Sequence, residues 1–404
     1  MTPCSLCAIV CAMRSVNAGW DYLVRRGADH HGRRVRKALA HVRRAPVPLV
    51  GSLDLAAAGR AARVEVQPGQ DVRMERPAAL SPADWRAFRH RDVSTLPPQF
   101  VLDVPDALVL GRNGWVAVED GGARRVVSDL WQEVGLETGD MVQPGLLATR
   151  PDERLPGTTV SLLLPWMPNY YHWTLQSVPR FDMVAGVLDP ASVDQWLVPP
   201  QSSPFVREWL DLLGIPQDRR VEVEPSGRVL SLERLVVASV PARNRYVPPH
   251  VLDSVRARLD LRRRDDLPRR IFLDRPATDK RRLLNRDRVL TAVRSGGFEV
   301  VEAGALSVAD QAALFASADV VAGVLGAGLT NLVYCYPGTT VVEILPRNLM
   351  FPAYYKLCAA AGLDHRLVTG REPRLIGPLR FPDTEADVLV DVATLEQTLQ
   401  DVLT

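Results

Sequence analysis

Residues 319–331 read DVVAGVLGAGLTN. The short apolar run Asp319–Gly323 has the composition of a strand buried on both faces, and it breaks into a glycine loop before a helix start. Glycines let a backbone approach a ligand closely, and unpaired N–H groups at the start of a helix attract anions. The next apolar run, Thr340–Leu345, carries Glu343, an acid expected to accept hydrogen bonds from ribose hydroxyls as in dinucleotide folds. Gly326, Ala327, Gly328, Thr330, Asn331 and Glu343 are thus candidate nucleotide contacts. The competing reading is a turn that needs glycine for its own sake, with Glu343 on the surface.

Working outward, the same rhythm repeats. Ile271–Leu273 reads as a strand, Asp287–Ser295 as a helix ended by Gly296-Gly297, and Phe298–Val301 as a strand. Ser307 and Asp310 form a capping box for a helix through Ala316. Beyond the glycine loop follow a helix Pro352–Ala361, closed by Gly362, and a last strand near His365–Val368. Arg275, Arg282 and Asn285 follow the first of these strands, at the end that faces the glycine loop. Guanidinium forks match a diphosphate bidentately, and no metal is then required to neutralise it.

The earlier part of the chain alternates less cleanly. VLDVPDALVLGRNGWVAVEDGGARRVV, 101–127, is broken at Asn113-Gly114 and Asp120-Gly121-Gly122, which are hairpin signals. Strands are expected at Thr159–Leu164, Gln195–Val198 and Leu235–Ala238, with helices through His172, at Pro204–Leu213 and around Val251–Leu261. In NYYHWTLQSVPR, 169–180, a helix stacks His172, Gln176 and Arg180 at i, i+4 and i+8, with Pro179 bending it. A histidine just past a strand suits proton transfer, and the plainer reading is a satisfied structural histidine. The expected organisation is an N-terminal basic, Pro-rich, irregular extension over 1–98, a first α/β domain with a leading β-meander over 99–266, and a second over 267–404.

Composition bounds the rest. The chain has 404 residues, 47% hydrophobic and 24% charged, which excludes disordered and fibrous classes. Forty-nine cations against 47 acids leave a net charge of +2, so no global field draws the chain to nucleic acid. Eight cations crowd residues 25–44 and could touch an anionic membrane surface; the alternative is a solvated arm. Cys4, Cys7 and Cys11 lack a fourth ligand at finger spacing, so no metal is expected. Residues 3–13 lack the leading positive region of a secretory signal. The expected residence is cytoplasmic, with peripheral contact at the inner face of the membrane through 25–44.

The order Asn-Tyr-Tyr-His-Trp…Pro-Arg, then Arg275…Arg282…Asn285, then Gly-Ala-Gly-Leu-Thr-Asn and Pro-Gly-Thr-Thr-Val-Val-Glu-Ile resembles glycosyltransferase family 61, whose bacterial members act in surface-polysaccharide synthesis. The resemblance implies a GT-B-like architecture of two facing Rossmann-like domains and inverting transfer without an essential metal. A nucleoside diphosphate sugar would be held by the second domain and a glycan or lipid-linked acceptor met by the first. It implies His172 as catalytic base, Arg275, Arg282, Asn285, Gly326–Gly328, Thr330, Asn331 and Glu343 on the donor, and Asn169, Gln176 and Arg180 on the acceptor side. Two positions depart from the family's pattern: Leu325 replaces a histidine and Gln176 replaces an acid. They keep a second reading open, a sugar-nucleotide-binding module without turnover. A third, an NAD-dependent oxidoreductase, rests on Gly326-x-Gly328 followed by Glu343.

Overall fold

Alternation along the segment Gln99–Leu110 sets the first sheet. Phe100, Leu102 and Val104 join one apolar cluster with Leu55 and Leu230, whereas Val101, Leu108 and Leu110 join the cluster facing the rest of the chain. A computed structural model describes residues 47–403 apart from 78–79, 89–92, 132–137, 225–227, 243–244, 276–280, 348–350 and 372–386. Cys4, Cys7, Cys11 and the basic segment 25–44 lie outside the described residues.

The described strands are β1 (Leu49–Val50), β2 (Ala62–Gln67), β3 (Gln70–Arg73), β4 (Val93–Leu96), β5 (Gln99–Leu110), β6 (Trp115–Asp120), β7 (Ala123–Val127), β8 (Glu153–Ser161), β9 (Gln195–Val198), β10 (Arg220–Glu222) and β11 (Val229–Ala238) in the first part, then β12 (Arg270–Leu273), β13 (Glu299–Val301), β14 (Val320–Val324), β15 (Thr340–Pro346) and β16 (Asp364–Gly370). Nine of them form one mixed sheet in the order β1-β7-β6-β5-β11-β8-β9-β10, with β2 added alongside β5. The meander β5-β6-β7 turns at the expected glycines, and it is the antiparallel half of this sheet rather than a separate layer. The span read as an irregular extension also contributes β1 and β2 to it.

The second sheet is wholly parallel, in the order β13-β12-β14-β15-β16. Its helices are α4 (Arg286–Ser295), α5 (Val308–Ser317), α6 (Ala353–Ala361) and α7 (Val392–Asp401); the longer ones of the first part are α1 (Val178–Ala185), α2 (Pro204–Leu212) and α3 (Pro249–Arg256), beside shorter helical turns. Ser307 caps α5 by accepting from the Asp310 amide at 3.0 Å, as its spacing predicts. Sequence periodicity did not reveal β10, which is three residues long, or α7.

Each parallel array has one point where the chain reverses its direction across the sheet. From β12 it steps outward to β13 and returns to β14 on the other side, so the loops after β12 and β14 part. From β8 it runs through β9 to β10 and returns as β11 on the opposite side of β8, so the loops after β8 and β11 part. Such crevices at the carboxyl ends of strands are where open α/β sheets bind ligands. The two parts are packed together: Arg256 donates to the carbonyls of Val333 and Cys335 at 2.6 and 3.0 Å, and Leu162 and Trp173 share an apolar cluster with Leu273 and Tyr354. Among the described residues no helix is long and apolar enough to cross a membrane.

Candidate active site

The crevice beside β8 is built by the chain that leaves it. Asn169 caps the next turn, accepting from the amides of Tyr171 and His172 at 3.0 and 3.5 Å. That assigns Asn169 to the helix start, a different task from meeting an acceptor. Residues Tyr170–His172 are α-helical, Trp173–Ser177 widen into a π turn, and α1 follows. Pro179 explains the widening: it has no N–H to donate, and its ring clashes with the carbonyl four residues back in a regular helix.

His172 Nδ1 lies 2.6 Å from Gln176 Oε1, while Gln176 Nε2 donates to Ala242 O at 3.3 Å, in the loop after β11. A carboxamide oxygen only accepts, so Nδ1 carries the proton and Nε2 is left with its lone pair. Burial pushes the imidazole pKa down to about 4, against the pull of Gln176 and with help from the Arg245 charge. His172 is therefore neutral at pH 7. Arg180 is 2% exposed and donates to Ala238 O at 2.8 Å and Leu163 O at 3.1 Å, tying together the two loops that flank the crevice. Burial lowers its pKa to about 9, which still leaves it charged at neutral pH.

Four described residues other than glycine have positive φ; two of them stand here, Trp166 at 65° and Arg245 at 64°, and a third, Arg281 at 53°, lies near Arg275 in the second part. Bulky side chains hold this conformation only when surroundings force it, and such residues concentrate at functional sites. The Trp166 ring lies 5.0 Å from that of His172 and is 39% exposed. Arg245 extends over the rings of Tyr171 and Phe351, one from each part of the chain.

Across the seam, the β12 and β14 loops enclose a cavity of about 230 Å³ lined by Asp274, Arg275, Glu302, Gly304, Gly328 and neighbours. Arg275 donates to Leu325 O at 2.9 Å, and a Cβ built on Gly326 would stand 2.7 Å from its guanidinium. Gly326 therefore makes room for Arg275, not for a phosphate directly, and its φ of −178° is open to any residue. Burial and the nearby Arg281 lower the pKa of Arg275. Ala327 and Gly328 begin a 3₁₀ helix, Ala327–Tyr334, and only Gly328 of the three loop residues quoted lines the cavity.

Several expected donor contacts are engaged elsewhere. Arg282 binds the fully buried Asp387 carboxylate through Nε and Nη2 at 3.0 and 2.8 Å. Asn285 exchanges hydrogen bonds with the backbone of Val390 at 2.8 and 3.1 Å. Both fasten the segment before α7 to the sheet. Thr330 is fully buried. Asn331 accepts from Tyr170 Oη and donates to Gln311 Oε1, both at 2.6 Å, so it joins the two parts of the chain. Glu343 is fully buried with Oε2 2.9 Å from His365 Nε2; burial raises its pKa and His365 opposes the rise. This location removes Glu343 from ribose contact and with it the acid on which the oxidoreductase reading rested. Leu325 is 2% exposed, with its side chain in the apolar core and not on the cavity wall.

The two crevices meet. Tyr171 packs beside His172, its ring 6.2 Å from that of Tyr354, and Tyr354 Oη donates to Gly326 O at 2.5 Å, against which Arg275 lies. Sequence reading did not single out Glu302, Arg245, Trp166 or Tyr354. Glu302 had a legible signal, since it directly follows the expected strand Phe298–Val301; the others are brought in by loops whose path no periodicity records.

Residues 170–342 match the family model described as Glycosyltransferase 61. Over 152 residues the chain is 36% identical to a protein of Oryza sativa subsp. japonica named "Beta-1,2-xylosyltransferease XAX1", a match covering 34% of this chain and 26% of that protein. The chain thus spans about a quarter of the length of the curated relative it matches.

Proposed function

We propose, from the premise that this chain belongs to glycosyltransferase family 61 through residues 170–342, that it transfers a sugar from a nucleoside diphosphate sugar to a hydroxyl of a glycan or lipid-linked acceptor, with inversion. One observation carries the reading: a neutral histidine with a free Nε2 lone pair and a polar cavity with Arg275 on its wall stand on opposite sides of one seam, linked through Tyr171, Tyr354 and Gly326. In this reading the two α/β parts face each other in the GT-B manner.

His172 Nε2 takes the proton of the acceptor hydroxyl as that oxygen attacks the anomeric carbon. The bond from the anomeric carbon to the diphosphate breaks on the opposite face, and its electron pair leaves on the diphosphate oxygen. Arg275, with Arg281 beside it, stabilises that charge, and the loop Gly326–Gly328 supports Arg275 from below. Two guanidinium groups at this position serve the role a divalent cation would otherwise take, so no metal is expected. Arg180 and Gln176 act on the acceptor side as positioning residues, through the two loops they tie and through the tautomer of His172.

The name of the rice relative supports xylose as the first sugar to test. Purified chain is incubated with a panel of nucleoside diphosphate sugars, xylose included, and glycan acceptors, and release of nucleoside diphosphate is followed. Acceptor-dependent release that His172→Ala abolishes is the expected result. Binding of nucleotide without consumption of any donor would favour the non-catalytic module, the reading that Gln176 in place of an acid motivates.

A further inference from the structure

Of the acids near the second crevice, two have their carboxylates occupied. Asp274 accepts from the Arg275 amide at 2.8 Å and from Arg286 Nε and Nη2 at 3.1 and 2.5 Å, and Glu343 is buried against His365. Glu302 differs: it is exposed, lines the cavity and directly follows β13. It stands one strand outward from β12, on the side of the crevice away from β14.

That position has a chemical meaning. A carboxylate at the end of the strand next to the crevice offers two oxygens to a vicinal diol, which is how open α/β sheets read ribose when the phosphates lie over the first loop. The first loop here holds Arg275, the cation for the phosphates. The cavity of about 230 Å³ falls below the ~300–1,000 Å³ of sites that hold a whole small ligand. Its size suits the nucleoside portion, with the sugar projecting towards the seam and His172.

We infer that Glu302 is the residue that recognises the ribose of the donor, binding its 2′- and 3′-hydroxyls, and so selects ribonucleotides. The inference rests on the nucleoside diphosphate reading above and assigns to Glu302 the task that sequence spacing assigns to Glu343. Glu302 is exposed and outside the cores of both sheets, so its replacement leaves the fold intact.

The test is calorimetric titration of the full chain with UDP, CDP, GDP and ADP and with the four 2′-deoxy counterparts. Wild-type protein is expected to prefer the best ribonucleotide over its deoxy form by about tenfold or more, the value of a charge-assisted hydrogen bond. Glu302→Ala should reduce that preference to near unity, weaken deoxynucleotides only by the lost 3′-hydroxyl contact, and leave pyrophosphate affinity and the melting temperature unchanged, and Glu302→Gln should be intermediate. A preference that persists in Glu302→Ala, or a wild type that binds ribo- and deoxynucleotides equally, overturns the inference and leaves the transferase reading standing. If none of the four ribonucleotides binds, the donor reading itself falls and this one with it.

Discussion

The crevice beside β8 and the crevice beside β12 obey one topological rule and are finished in opposite ways. The first is closed by its own side chains: Gln176 and Arg180 spend their donors on Ala242, Ala238 and Leu163, and what remains is one oriented, neutral imidazole. The second is left hollow, with Arg275 and Glu302 on its wall. A filled crevice fixes one atom in place, which suits proton transfer; a hollow one with fixed charges suits holding a polar ligand. The same fold feature thus yields an oriented imidazole in one half and an open cavity in the other.

The comparison breaks most visibly if His172 proves inert. His172→Ala should lower turnover by roughly 10²–10⁴ with nucleotide affinity unchanged, measured by donor consumption beside calorimetry. Next in size is the link between the crevices. Asn331→Ala removes the acceptor of the Tyr170 hydroxyl and the donor to Gln311 Oε1, and urea denaturation should report a loss of about 1–3 kcal/mol.

The closed crevice also predicts a pH dependence. With a folded pKa near 4 against 6.5 when unfolded, His172 takes up its proton first in the unfolded chain. Stability from this group is complete above pH 6.5 and falls as pH drops towards 4, by about 3 kcal/mol in total. Gln176→Glu supplies a carboxylate to the Nδ1 proton, raises the imidazole pKa, and should flatten that loss while moving the acid limb of kcat/KM to higher pH. An unmoved limb would show that His172 does not set it.

The open crevice is sharpened by contrasting two arginines. Arg275→Ala should weaken nucleoside diphosphate binding by about 1.5–3 kcal/mol, roughly tenfold to 150-fold. Arg282→Ala should leave binding nearly intact and instead lower stability, because the buried Asp387 loses its counter-charge. The smallest effect belongs to Gly328→Ala, whose new Cβ would lie 3.9 Å from Leu273; a melting curve should move by no more than about 0.5 kcal/mol equivalent.

Strand and helix positions in the second part were legible because a buried parallel sheet writes itself as short apolar runs between glycines: Thr340–Pro346 and Val320–Val324 fall within a residue or two of where the pattern puts them. The pairing of His172 with Gln176 was legible from spacing. What spacing could not tell was direction. Glu343, Asn331 and Arg282 are the right residue types near the right loop, yet each is turned towards a partner far away in sequence, His365, Tyr170 and Asp387. Polar side chains near a crevice have such competitors, and only tertiary packing decides between them.

The π turn over Trp173–Ser177 has a further bearing on how this chain tolerates change. In a regular helix of about 100° per residue, positions eight apart drift by roughly 80°. A π turn advances each residue by about 82°, and its five residues cancel that drift, bringing His172 and Arg180 onto one line with Gln176. Removing a single residue from 173–177 would let the segment rewind as α-helix with His172 and Arg180 seven apart, at about 700°, and so still on one face; what would change is the spacing of Gln176 between them. The extra residue of the turn thus bears on where Gln176 meets His172 and Ala242, not on the alignment of the two ends.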